Sequence, residues 1–178
     1  MGGGTKKLMK EHADRHYEGV RQVFPQVRRL MLFDYDSEEN AFHPDDANAA
    51  LFEWGRKNIE NYLLVPDAWT RAATRDLSLP DGDLMAEPAR QVIDGFFANE
   101  NLTLPRGQTW QNVSANIFTV VDGKKLLFDS KTSLFAKLER MDPPVKTIRE
   151  KIAGAMHEGE IHQDINAFFT KLRKTIES

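Results

Sequence analysis

Apolar residues at Met9, Ala13, Tyr17, Val20 and Phe24 recur at spacings of three and four, which predicts an amphipathic helix in the first part of the chain. The continuous run Leu30-Met31-Leu32-Phe33 follows, and a short run of this kind suits a parallel strand covered on both faces. A second short apolar run lies at Ala49-Ala50-Leu51-Phe52, and Ile59, Leu63 and Leu64 then share one face of a predicted helix. Pro66 opens another short helix running to about Arg75, and residues 77–82, rich in Ser, Pro and Asp, read as a loop. Ala89, Val92, Ile93, Phe96 and Phe97 line a further helix, with Pro88 in its first turns, where it is tolerated. Residues 104–110 are irregular. The β-branched and aromatic bias of residues 116–121 predicts a strand, turned by Asp122-Gly123.

From Ser133 onward the pattern is helical. Leu134, Leu138 and Met141 define one short helix that Asp142-Pro143-Pro144 ends, and Val145, Ile148, Ile152 and Met156 define the next. Ile161, Ile165, Phe168, Phe169, Leu172 and Ile176 define the last at near-ideal spacing. No repeat, low-complexity segment or linker interrupts the chain, so residues 1–178 are expected to form a single domain.

Composition narrows the chemistry. The chain has 178 residues, 40% of them apolar and 29% charged, enough for one domain with a real core. It has no cysteine, which excludes disulfides and the Cys-rich kind of structural zinc site. No stretch reads as a signal peptide or reaches membrane length, so a cytoplasmic location without membrane contact is expected. The net charge of −3 argues against a generally basic nucleic-acid coat. Local basic pairs remain at Arg28-Arg29, Arg56-Lys57 and Lys124-Lys125, and phosphate contacts from such groups would be salt-sensitive.

The candidate chemistry begins at Asp34 and Asp36, two carboxylates one residue apart directly after the first apolar run. In open α/β sheets, ligands bind beyond the carboxyl ends of the strands. Oxygen-rich sites there suit Mg²⁺, which takes one or two protein carboxylates and keeps several waters. With Ser37 and Asn40, the same two aspartates also suit a turn leaving a strand. His12 and His16 lie four apart, a spacing that can hold zinc, but on the charged side of their helix and without the glutamate of H-E-x-x-H. His157 and His162, with Glu158, Glu160 and Asp164, fall at a turn between helices, where the acids suit a helix start. A G-x-S-x-G element and a phosphate-binding G-x-x-x-x-G-K-[ST] loop are both absent.

Three strings occur in order: Leu32-Phe33-Asp34-Tyr35-Asp36, then Lys57-Asn58-Ile59-Glu60-Asn61-Tyr62-Leu63-Leu64-Val65-Pro66, then Asp122-Gly123-Lys124-Lys125-Leu126-Leu127. As an ordered set they resemble the Toprim nuclease domain at the carboxyl end of OLD-type (overcoming lysogenization defect) ATPases, over roughly residues 2–128. The I-E-N-Y-L-L string is the most specific element. The resemblance implies that Asp34 and Asp36 are divalent-metal ligands, that Glu60 is a further metal-site carboxylate with a catalytic part, and that Lys124 stabilises charge on the scissile phosphate. Lys125 is an alternative for the last role. It also implies a Mg²⁺- or Mn²⁺-dependent endonuclease, a hydrolase of phosphodiesters that acts on nucleic acid, with DNA expected. Apart from the resemblance, Glu60 reads as a solvated helix acid and Lys124-Lys125 as turn lysines.

In one respect the chain departs from the family. A Toprim domain opens with a strand ending in Glu-Gly, whereas Tyr17-Glu18-Gly19 here lies on the polar, amphipathic helix. Gly2-Gly3-Gly4-Thr5 resembles the loop leaving the family's second strand, with Thr5 as an N-cap. The chain is therefore expected to begin within the domain, without the first-strand glutamate and without the ATPase part, and to cut poorly alone. The expected fold is α/β, a partial Toprim-like parallel sheet with flanking helices, core about 2–128, and a helical extension over about 129–178. The ATPase part and a homodimer are the expected partners. The alternative function is a non-catalytic Toprim-like module acting in assembly or nucleic-acid binding of a larger complex.

Overall fold

A computed structural model of the chain describes residues 6–35, 41–42, 50–75 and 82–177. These residues are mixed α/β and mostly helical, with eight α-helices and a two-stranded parallel sheet. The chain divides into two compact units, Met1–Gly55 with Asp164–Ser178, and Arg56–Gln163.

In the first unit the amphipathic helix forms as α1, Lys6–Val23. The turn after it is closed by the Tyr17 hydroxyl, which donates to the carbonyl of Val27 at 3.0 Å. The two apolar runs become β1, Met31–Phe33, and β2, Leu51–Glu53, paired in parallel with Met31 opposite Leu51 and Phe33 opposite Glu53. The expected parallel strand is present, but its covering differs from the expectation. Met31 and Phe33 pack with Leu51, Ala13 and Phe42, while Leu32 on the opposite face is 46% exposed. The alternation follows from the two-residue period of a strand, which sends Leu32 away from that cluster.

Glu53 ends β2 as a largely buried acid, and both of its oxygens are used. One pairs with the Lys6 ammonium and the other accepts the Phe42 amide at 2.9 Å. The last helix of the chain, Gln163–Glu177, brings Phe168 against Phe52 and Trp54, with ring centroids 5.5 and 5.3 Å apart.

The second unit is helical. A 3₁₀ helix, Ile59–Leu63, leads into α2, Pro66–Arg75, which packs on α3, Gly82–Asn99. Trp69 is fully buried and its indole N–H donates to the Leu63 carbonyl at 2.8 Å, so the polar edge of the ring is satisfied within the core. Four short helices follow: α4, Asn116–Val120; α5, Gly123–Leu127; α6, Leu134–Glu139; and α7, Arg149–Gly154. They contribute Phe118, Leu127, Leu134, Leu138 and Ile152 to the same core as Ile93, Phe96 and Leu102. The Gln163–Glu177 helix is α8 in chain order.

Three expectations need correction. Residues 116–120 are helical rather than extended, because Phe118 enters the core and the carbonyls of Phe118 and Val121 find a side-chain donor in place of a neighbouring strand. Asp122-Gly123 is not a hairpin turn. Asp122 caps α5, its carboxylate accepting the Lys125 amide at 3.0 Å. Glu60 is likewise no solvated acid. The tighter winding of the 3₁₀ helix leaves Ile59 half exposed and buries Glu60, Asn61 and Tyr62.

On α1, burial raises the Asp14 carboxyl, but hydrogen bonds and charge from Lys10 (3.2 Å) and Arg29 (2.7 Å) outweigh this and hold it below the ordinary aspartate range. A folded pKa below the unfolded one adds stability that is complete above the unfolded value and is lost as pH falls through the folded value. Asp14→Asn is therefore expected to lower unfolding free energy at pH 7 by about 1 kcal/mol or less. Urea titrations should show that difference shrinking to nothing in acid, below the ordinary aspartate range.

Candidate functional site

The strings 57–66 and 122–127, far apart in sequence, interlock in the second unit. Asn61 is fully buried. Its Nδ2 donates to the carbonyls of Phe118 and Val121, both at 2.9 Å, and its Oδ1 accepts the Gly123 amide at 3.1 Å. Asn58 Nδ2 reaches the Asp122 carboxylate at 3.3 Å, and the Lys57 amide donates to the Thr119 carbonyl at 2.9 Å. Gly123 is required here by space and not by backbone angle. A Cβ at this position would lie 2.5 Å from Asn61 Oδ1 and 2.9 Å from its backbone nitrogen. Arg56, also buried, donates to the carbonyls of Asn61 (2.8 Å) and Val113 (3.2 Å) and stacks over the Tyr62 ring at 4.7 Å.

This interlock brings Glu60 and Lys124 into one chain of charges. Glu60, 8% exposed, takes the Arg149 Nε at 3.1 Å. Arg149 reaches Asp129 at 3.6 Å, and Asp129 pairs with Lys124 at 3.4 Å. The Arg149 guanidinium also lies 4.2 Å from the centre of the Phe128 ring, a cation–π contact. Beside it is a cavity of about 360 Å³ bordered by Phe128, Asp129, Phe135, Thr147 and Arg149. The Thr147 hydroxyl is buried there without a hydrogen-bond partner among the described residues. Asp129 and Arg149 had no motif to announce them: Arg149 pairs with Glu60, 89 positions away, and Asp129 joins that residue to Lys124. Lys125 is exposed beside Lys124, and no ion pair engages it among the described residues.

In the first unit, Asp34 follows β1 directly and is exposed at the carboxyl end of the parallel pair. Asp36, Ser37 and Asn40 lie outside the described residues, as do the glycines at 2–4 and Thr5. Asp34 and Glu60 thus belong to different units. Among the described residues no group of three His, Asp or Glu side chains is placed to hold a metal ion. The donor set itself, carboxylates without thiolates, is of the kind that suits a hard divalent cation.

The histidine-rich turn is structural. Glu160 is buried, pairs with Arg71 and accepts the His157 amide at 2.7 Å, while the buried His162 ring lies 5.5 Å from that of Tyr62. His12 is exposed on α1, and so is His16. No helix among the described residues is long and apolar enough to cross a membrane. No family model, curated protein or solved structure matches the chain.

Two substitutions test the interlock. Asn61→Asp keeps the shape but removes both donors and buries a charge, so about 3 kcal/mol or more of stability should be lost. Gly123→Ala forces a methyl group against the Asn61 backbone and should cost about 1–3 kcal/mol. Urea midpoints at pH 7 read both, and wild-type stability in Gly123→Ala would refute the close packing.

Proposed function

We propose that the chain works in Mg²⁺- or Mn²⁺-dependent hydrolysis of DNA phosphodiesters, as the Toprim-like nuclease part of an OLD-type ATPase. The observation that supports this reading most is that two of the three strings that carry the resemblance, 57–66 and 122–127, pack on each other. Their interlock ties Glu60 and Lys124 into one charge chain across 64 positions of sequence. The parallel strand pair, with Asp34 exposed just past β1, supports the same reading at the level of fold.

In this proposal Asp34 and Asp36 hold the divalent ion, with Glu60 as a further acid of the site. The ion, when bound, supplies hydroxide at neutral pH and neutralises charge on the phosphoryl oxygens. Lys124 brings a fixed positive charge to the phosphate as negative charge grows there, and its pairing with Asp129 restrains the ammonium. Arg149, over the Phe128 ring, restrains the Glu60 carboxylate. The proposed setting is cytoplasmic, with an ATPase domain and a second copy of the chain as partners.

A second reading has its own observation. Glu60 and Lys124 already have partners of opposite charge in Arg149 and Asp129, which also suits a non-catalytic module that keeps the fold and serves assembly of a larger complex. Metal titration and DNA cleavage separate the two. On the nuclease reading, Asp34→Asn weakens Mn²⁺ binding in calorimetry, and Lys124→Ala lowers the cleavage rate on the order of 10²-fold. Cleavage is assayed both for this chain and for one carrying an upstream strand that ends in Glu-Gly. Equal Mn²⁺ affinity in wild type and Asp34→Asn, with no cleavage by either form, would leave the module reading standing.

A further inference from the structure

The first unit contains a cleft of about 740 Å³ whose described lining includes four cations and no carboxylate: Arg28 and Arg29 on one wall, Lys171 and Lys174 on the other. We propose that this cleft binds the phosphodiester backbone of a nucleic acid. It extends the reading above by naming a gripping surface, but it rests on residues outside the candidate catalytic set.

The chain carries a net charge of −3, so four lining cations without a lining acid are a local concentration against the overall balance. The two walls differ in how their charges are held. Arg29 is pre-positioned: it donates to the Ala13 carbonyl at 3.1 Å, pairs with Asp14 at 2.7 Å and lies 4.3 Å from the centre of the Tyr17 ring. Its Nε is buried and has no hydrogen-bond partner among the described residues. Lys171 donates to the Leu51 carbonyl, a neutral acceptor that leaves its charge intact. Arg28 and Lys174 are exposed, and no ion pair engages either among the described residues.

Lys171 and Lys174 stand about 4.5 Å apart along the axis of α8, on the face that also presents Thr170. Cations spread over two walls fit a ligand with repeated phosphates better than a single phosphate group. The hydroxyls of Thr170 and Thr175 line the same cleft and suit further contacts to a sugar-phosphate chain. A membrane surface calls for a flat face with projecting apolar groups, whereas these cations border a recess.

The test is fluorescence anisotropy of a labelled DNA oligonucleotide, single-stranded and duplex, in EDTA so that neither metal binding nor cleavage contributes. The double variant Arg28→Glu/Lys174→Glu, both sites exposed, should bind tenfold or more weakly. Its salt dependence should flatten by about 1.4 units for the single strand, because two fewer phosphates are neutralised. Arg106→Glu, an exposed cation of the other unit, should bind as wild type does, and matching circular dichroism spectra should show all three proteins folded. Unchanged affinity and salt slope in the double variant would overturn the proposal. So would a wild-type chain that leaves the oligonucleotide free while binding anionic phosphatidylserine vesicles or pyrophosphate through the same two residues. Salt-sensitive binding by the wild-type chain that the double variant loses, with no cleavage by the wild type in a separate assay with Mg²⁺ or Mn²⁺, would count against the nuclease reading and leave this inference standing.

Discussion

The Asn61 carboxamide is the constraint on which the second unit is built. It is fully buried and all three of its hydrogen bonds go to backbone groups between Phe118 and Gly123. A buried carboxamide is costly unless its donors and acceptor are matched, and here the match is to backbone groups that themselves need partners. The carbonyls of Phe118 and Val121 and the Gly123 amide lie at helix ends, where intrahelical partners run out. Asn61 supplies those partners, and Gly123 leaves the space that lets it approach. Aspartate at 61 cannot donate, and any larger residue at 123 meets the Asn61 backbone.

Everything chemically suggestive in this unit hangs from that contact. With 57–63 pinned to 118–125, Glu60 and Lys124 are joined through Arg149 and Asp129, and Arg149 is steadied by Phe128. Such an arrangement serves two ends at once. It satisfies an acid that would otherwise be stranded in a half-dry setting, and it links a lysine, through Asp129, to the border of a cavity of about 360 Å³. The proposed nuclease role draws on the second of these, and the proposed assembly role on the first. The first unit contributes different material: an aspartate exposed at the edge of a parallel strand pair, and a cationic cleft between α1 and α8.

What the sequence reveals depends on how local the cause is. α1 and α8 carry sustained three-and-four spacing, and their helices form where that spacing predicts. The Leu30–Phe33 and Ala49–Phe52 runs mark β1 and β2, and the parallel pairing also follows the expectation. Residues 116–120 mislead because their β-branched bias is a weak preference, and the Asn61 donors 57 and 60 positions away override it. Asp122-Gly123 misleads because the same dipeptide suits a hairpin and a helix cap. The I-E-N-Y-L-L string lies in a stretch that packs on residues 118–123, and it is the buried asparagine that organises that contact. Asp129 and Arg149 are legible only in three dimensions.

The proposed nuclease role requires that Asp34, Asp36 and Glu60 serve one metal ion. Addition of Mn²⁺ to isotopically labelled protein, followed by paramagnetic broadening of backbone amides, tests this directly. A shared ion predicts that amides of residues 34–36 and 58–62 broaden together at the same low Mn²⁺ concentration, and that Asp34→Asn abolishes the effect at both segments. Broadening at one segment alone, or at both but unaffected by Asp34→Asn, would contradict a shared site.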